Sequence, residues 1–166
     1  MRAFASRYGK EVVVDGTRWR YYKLGAGRPV LWLTGGLRRA AFGFGFLVRL
    51  GAQHTVIAPD LPPVRTIGEL LKGLDVIMRS EGVDTFVLAG QSYGGLLAQA
   101  YVAHRIHAIE RLILSSSGPA DYGKAWLVAE YAAIALARVL PQKLIKKLLV
   151  GGFMKIVTVP AAERAE

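Results

Sequence analysis

Apolar and polar positions along this chain switch between two periods, and the switches mark out its elements. Glu11-Val12-Val13-Val14 and Thr17-Arg18-Trp19-Arg20-Tyr21-Tyr22 have strand character and are separated by Asp15-Gly16. Asp-Gly between such runs predicts a β-hairpin with a type I′ turn, whose two central residues both need positive φ. Pro29-Val30-Leu31-Trp32-Leu33-Thr34 is almost continuously apolar and ends at Gly35-Gly36. A run of that kind suits a strand buried on both faces of a mainly parallel sheet. Ala40 to Leu50 predicts a helix, with Gly43 and Gly45 working against it. His54-Thr55-Val56-Ile57-Ala58 predicts the next strand, closed by Pro59-Asp60-Leu61-Pro62-Pro63.

From Thr66 to Ser80 the period becomes helical. Ile67, Leu70, Leu71, Leu74, Ile77 and Met78 form one stripe, with Thr66 placed as cap and Glu69 three residues on. Phe86-Val87-Leu88 then reads as a strand, Tyr93 to His107 as a helix and Arg111 to Ser115 as a strand. Strands alternating with helices predict right-handed crossovers and the α/β class: a mainly parallel sheet with helices on both faces. The hairpin would add antiparallel strands at one edge. After Gly118-Pro119 the character changes: Ala125 to Val150, rich in Ala, Leu and Lys, predicts two helices broken near Pro141. The chain thus divides into a core, residues 1–120, and a helical cap or lid segment, residues 121–166. Both are incomplete as a fold, since the tail Val157 to Glu166 offers no strand to finish the sheet.

Composition narrows the functional classes. The chain has 166 residues, enough for one domain, and 52% of them are hydrophobic, which argues for a packed core rather than disorder. There is no cysteine, so disulfides, thiolate metal sites and cysteine nucleophiles are excluded. The N-terminus lacks the apolar core of a signal peptide, and no apolar run is long enough to span a bilayer. A cytoplasmic location is the expectation. Net charge is +10, from 22 basic and 12 acidic residues. The basic residues, among them Arg2, Arg7, Arg18, Arg20, Arg38, Arg39, Lys143, Lys146, Lys147 and Lys155, are scattered and not interleaved with aromatics. That pattern reads as a solvated surface and gives no nucleic-acid platform.

The chemistry sits at Gly90-Gln91-Ser92-Tyr93-Gly94. It follows the apolar run Thr85 to Ala89 and opens a helical stretch, the strand–turn–helix setting of a nucleophile elbow. Glycines flanking the serine give the room a Cβ would fill. With Leu31-Trp32-Leu33-Thr34-Gly35-Gly36, Val56-Ile57-Ala58-Pro59-Asp60-Leu61-Pro62 and Arg111-Leu112-Ile113-Leu114, this elbow resembles the first half of the α/β-hydrolase fold family. Residues Val30 to Gly118 carry the match. Within the family, the basic segment Leu140 to Phe153 is most similar to maspardin-type members. Thr34 stands where the family usually has histidine, and Pro63 where it has glycine.

The resemblance implies that Ser92 is the nucleophile of a serine hydrolase acting on a carboxylic ester or related acyl substrate. It implies an oxyanion hole from the backbone N–H groups of Tyr93 and Gly36, with Leu37 as the alternative to Gly36. Such a site needs a histidine to take the hydroxyl proton and an acid to orient it. His54, His104 and His107 are all placed too far from Ser92 by their positions in the pattern. His104, twelve residues on along the same helix, is roughly 18 Å away. Asp121 lies on the correct edge but has no histidine to orient, and Asp60 is expected to shape its turn. The expectation is therefore a truncated member, inactive as it stands, whose acid and histidine are encoded further on. The alternative is a non-catalytic scaffold of the same fold.

No His/Asp/Glu cluster has metal-ligand spacing and no G-x-G-x-x-G loop is present, so neither metal nor cofactor is expected. Two further expectations concern surfaces. Lys143, Lys146 and Lys147 among Leu144, Ile145 and Leu148 to Val150 suit a cap helix better than an interfacial membrane helix. The incomplete sheet edge predicts self-association.

Overall fold

The computed structural model describes residues 1–119 and, within 121–166, residues 128, 131, 132, 135, 136 and 138–147. The chain divides into two compact units, Met1–Ala120 and Asp121–Glu166.

The first unit is built on a six-stranded sheet. Its strands are β1 (Gly9–Val14), β2 (Thr17–Leu24), β3 (Arg28–Leu33), β4 (His54–Pro59), β5 (Phe86–Gln91) and β6 (Ile109–Ser115). They lie in the order β1-β2-β4-β3-β5-β6. The hairpin β1–β2 pairs antiparallel, β2 pairs antiparallel with β4, and the other four strands are parallel. Asp15 and Gly16 turn the hairpin at φ of 48° and 76°, the two positive values a type I′ turn requires.

Period-two alternation divides the side chains between two faces. Trp19, Tyr21, Leu31, Leu33, Ile57, Phe86 and Leu88 meet helices α3 (Ile67–Ser80) and α4 (Tyr93–Arg105) in the main core. On the other face Tyr22, Leu24, Val56 and Ala58 pack with Phe4 and Leu47, from α1 (Arg2–Tyr8) and α2 (Phe44–Gly51). Each fully buried large side chain of this kind stabilises the fold by about 1.5–3 kcal/mol. Thr66 caps α3 as its sequence predicts, its Oγ1 accepting the Glu69 N–H at 3.2 Å. Glu69 in turn accepts the Arg65 N–H at 3.2 Å.

Some expectations need correction. The helix predicted over Ala40 to Leu50 is split into a 3-10 turn, Ala40–Gly43, and α2. Ile67, counted in the buried stripe, is 47% exposed at the first position of α3. The predicted helix to His107 ends at Arg105 and continues as a 3-10 turn. Helix α1 was not anticipated: its seven residues are too few for a period, and its Phe4 ring packs 5.1 Å from that of Tyr22. The incomplete sheet edge lies at β6, where Leu112, Ile113 and Leu114 are 40–52% exposed, because among the described residues only β5 pairs with it.

In the second unit, Leu140 and Pro141 interrupt the helix where the break was predicted. Leu140 N–H still donates to Leu136 O at 3.1 Å, and Leu144 N–H opens the next turn on Pro141 O at 2.9 Å. Leu144 is exposed and Ile145 half-buried. Leu148 to Val150, and Asp121, lie outside the described residues. No helix among the described residues is long and apolar enough to cross a membrane.

Candidate active site

Strand order fixes where a ligand crevice forms. From β3 the chain turns through α2 on one face to reach β4, while from β5 it turns through α4 on the opposite face to reach β6. Neighbouring parallel strands whose exits diverge open a crevice at their carboxyl ends. The turn after β3 is Gly35-Gly36 and the turn after β5 is Ser92, so the two motifs flank that crevice.

Ser92 is the N-cap residue of α4 and sits at φ 51°, ψ −119°. A non-glycine residue there carries about 1–3 kcal/mol of backbone strain. The fold enforces it from several sides. Ser92 N–H donates to Ser115 O at 2.9 Å, and Ser92 O accepts from Gly95 N–H at 2.8 Å. The flanking glycines make close approaches: a Cβ on Gly90 would lie 2.4 Å from Gly94 O, and one on Gly94 would lie 2.2 Å from Leu33 O. The elbow is thus pressed against the end of β3, and Ser92 is left exposed. No side-chain hydrogen bond of Ser92 forms among the described residues.

A cavity of about 620 Å³ opens beside the elbow. Ser92, Gln91 and Ser115 line one side, and Thr34, Gly35, Gly36 and Leu37 the other. Its apolar part is Trp32, Phe42 and Phe46, the Trp32 and Phe46 rings 4.6 Å apart. A volume of several hundred Å³ with apolar walls and a few polar groups suits a small organic ligand. Of the sequence-derived candidates, Ser92, Gly36 and Leu37 share this cavity. Tyr93 does not line it; its half-buried ring lies under the Arg38 guanidinium, 5.8 Å from the centroid.

The turn after β3 is held by Asp60 together with Arg38 and Arg39, two arginines counted in the sequence only as scattered charge. Arg38 adopts φ 59°, its N–H donating to Gly35 O at 2.9 Å. Its guanidinium donates to the carbonyl oxygens of Leu61, at 3.0 Å, and Pro62. Asp60, 6% exposed, accepts Ala40 N–H on Oδ1 at 2.8 Å and Arg39 Nη1 on Oδ2 at 3.1 Å. Asp60 therefore shapes the turn, as expected, rather than facing a histidine. Arg38 and Arg39, directly after Gly-Gly-Leu, were the available signal.

The histidines are elsewhere. His54 begins β4 at the amino edge of the parallel strands, opposite the crevice. His104 sits at the far end of α4 from Ser92, with Nε2 2.9 Å from Asp75 Oδ2. Asp75 also accepts the Tyr101 hydroxyl at 2.7 Å; burial first, then this carboxylate, raises the Tyr101 pKa. His107 is exposed in the 3-10 turn beyond α4. Among the described residues, no group of three His, Asp or Glu could hold a metal ion.

No family model and no curated protein sequence matches this chain. Solved structures do match. A bacterial membrane phospholipase A, described as a virulence factor, aligns with a TM-score of 0.60 at 25% identity, over 70% of this chain and 42% of its own. Epoxide hydrolase VrEH1 from Vigna radiata aligns at 0.58 and 21% identity, over 64% of this chain and 38% of its own. Epoxide hydrolase CorEH gives 0.59 and 23%, over 64% and 41%. All are α/β-hydrolase fold proteins.

The chain has an incomplete α/β-hydrolase fold. It spans about two fifths of the length of these neighbours. They are named for different chemistries, so the α/β-hydrolase scaffold does not by itself select a substrate. What this chain contributes to the scaffold is the sheet through β6, the elbow and the turn that faces it.

Proposed function

We propose that Ser92 is the nucleophile of a serine hydrolase site for a carboxylic ester or related acyl substrate. The observation that carries this reading is the strained, exposed Ser92 on a cavity shared with Gly35, Gly36 and Leu37. In the proposed reaction Ser92 Oγ attacks the acyl carbon as its proton passes to a general base, and charge builds on the carbonyl oxygen. Backbone N–H groups of Gly36 or Leu37, with that of Tyr93, would hold it, each such donor lowering the barrier by about 2.7–4 kcal/mol. Collapse of that intermediate breaks the ester C–O bond, releases the alcohol, which takes up the proton, and leaves the acyl group on Ser92. Trp32, Phe42 and Phe46 would take the acyl chain.

The general base is not among the described residues, so this chain alone should turn over little or no p-nitrophenyl ester. Ser92-dependent turnover at enzymic rates would refute that part of the reading. The nucleophile itself is tested by fluorophosphonate labelling at pH 9.5, where hydroxide substitutes for the base, followed by peptide mass mapping. Ser92 should be modified well ahead of Ser80 and Ser115 to Ser117, and the adduct should vanish in Ser92→Ala. Labelling spread evenly over the serines would overturn the assignment.

The distance of every histidine from Ser92 also favours a second reading, a binding or scaffold protein of hydrolase fold. Under it Ser92 shows no preferential labelling.

A further inference from the structure

Four arginines distant in sequence come together beside the candidate active site. Arg18 and Arg20 belong to β2, Arg38 and Arg39 to the turn after β3, and all four line one cavity of about 440 Å³. The topology explains the meeting. Strand β2 runs antiparallel to β4, with Tyr21 opposite Pro59, so its beginning lies at the carboxyl end of β4. The Asp60 N–H donating to Arg20 O at 2.9 Å fastens that corner. Alternation turns Arg18 and Arg20 away from the buried Trp19 and Tyr21.

Two carboxylates accompany them. Glu11 accepts Arg20 at 2.8 Å and touches Arg18 at 3.5 Å, while Asp60 accepts Arg39 at 3.1 Å. Four guanidinium groups against two carboxylates leave two positive charges in excess. Each guanidinium carries five N–H donors, more than these contacts consume. A concave site with one sign of charge in excess concentrates counter-ions. Guanidinium forks match the oxygens of phosphate, and two surplus charges match a phosphate dianion better than a lone carboxylate.

We propose that this cavity is an anion subsite for a phosphate group. Arg39 lines both this cavity and that of Ser92. A phosphate seated here would carry the remainder of its molecule past Arg39 toward the elbow. This second step rests on the hydrolase reading and makes the substrate class an acyl ester with a phosphate-bearing part. The anion site itself does not need Ser92.

The test is titration of this chain with inorganic phosphate, followed by calorimetry or arginine side-chain NMR, in wild type and three variants. Arg18→Gln and Arg20→Gln should each weaken binding about tenfold, the scale of one charge-assisted hydrogen bond. Glu11→Gln should tighten it, an opposite sign that no loss of fold would produce. Circular dichroism melts confirm that the variants are folded. Absence of saturable binding up to 20 mM phosphate, or binding indifferent to all three changes, overturns the proposal.

Co-sedimentation with phosphatidylcholine vesicles, with and without 20% phosphatidic acid, separates the two sources of the group. Pelleting that depends on phosphatidic acid and on Arg18 and Arg20 assigns a lipid headgroup. Phosphate binding without pelleting assigns a soluble phosphomonoester. Ser92→Ala should bind phosphate as wild type does, so failure of the Ser92 labelling and failure of this site are read separately.

Discussion

Replacing Gly94 by alanine tests whether the elbow is held where the fold places it. Gly94 lies in the first turn of α4, where alanine is intrinsically favoured over glycine by about 1 kcal/mol. Against that, the new Cβ would lie 2.2 Å from Leu33 O and 2.5 Å from both Leu33 C and Thr34 O. Those atoms are backbone and cannot rotate away. Restoring a contact of about 3.5 Å requires the start of α4 to retreat from β3 on the order of 1 Å. Overpacking costs about 1–3 kcal/mol, and three backbone atoms within 2.5 Å put this site in the upper part of that range, about 2–3 kcal/mol, so the steric effect wins by about 1–2 kcal/mol. At about 2–4 °C per kcal/mol for a chain of this size, Tm should fall by roughly 2–8 °C. Gly36→Ala is the matched control: nothing lies within 4 Å of its Cβ position, and its stability should change by less than about 0.5 kcal/mol. Thermal melts by circular dichroism measure both. A Gly94→Ala chain that melts at or above wild type would refute the packing of the elbow on β3.

Asp60→Ala should destabilise the chain by about 2–3 kcal/mol, since it orphans the buried Ala40 N–H and releases Arg39. Amide hydrogen exchange should show Ala40 exchanging faster than in wild type. Glu81 governs the acid limb of stability. Its side chain is 4% exposed, and burial pushes its pKa up, but hydrogen bonds from Lys10, Lys23 and Tyr21 outweigh that and hold it at about 2, below the ordinary 4.5. Because the folded value is depressed, this contribution is complete above about pH 4.5 and is lost as pH falls toward 2. Allowing for solvent at the lysine ends, it is on the order of 2 kcal/mol, and urea melts of Glu81→Gln should have a flatter dependence across that window.

Local chemistry made much of the fold legible. Asp15-Gly16 announces its turn, Thr66 with Glu69 announces the start of α3, and apolar runs locate β3, β4 and β5. These signals act within a few residues, so the sequence displays them directly. The elbow is equally local, since Gly90, Ser92 and Gly94 are neighbours in the chain. What the sequence concealed depends on residues brought together by topology. Arg38 holds carbonyls 23 and 24 residues away, and Asp60 reaches back 20 residues to Ala40. Arg18 and Arg20 meet Arg38 and Arg39 only because β2 runs against β4, so their charges looked dispersed.

The positive φ of Ser92 has a practical corollary for any experiment at this position. The steric burden there arises from the Cβ and the main chain, so alanine inherits it in full while losing only the oxygen. A Ser92→Ala chain is therefore a conformational twin of the parent, and any difference between the two reports the oxygen alone.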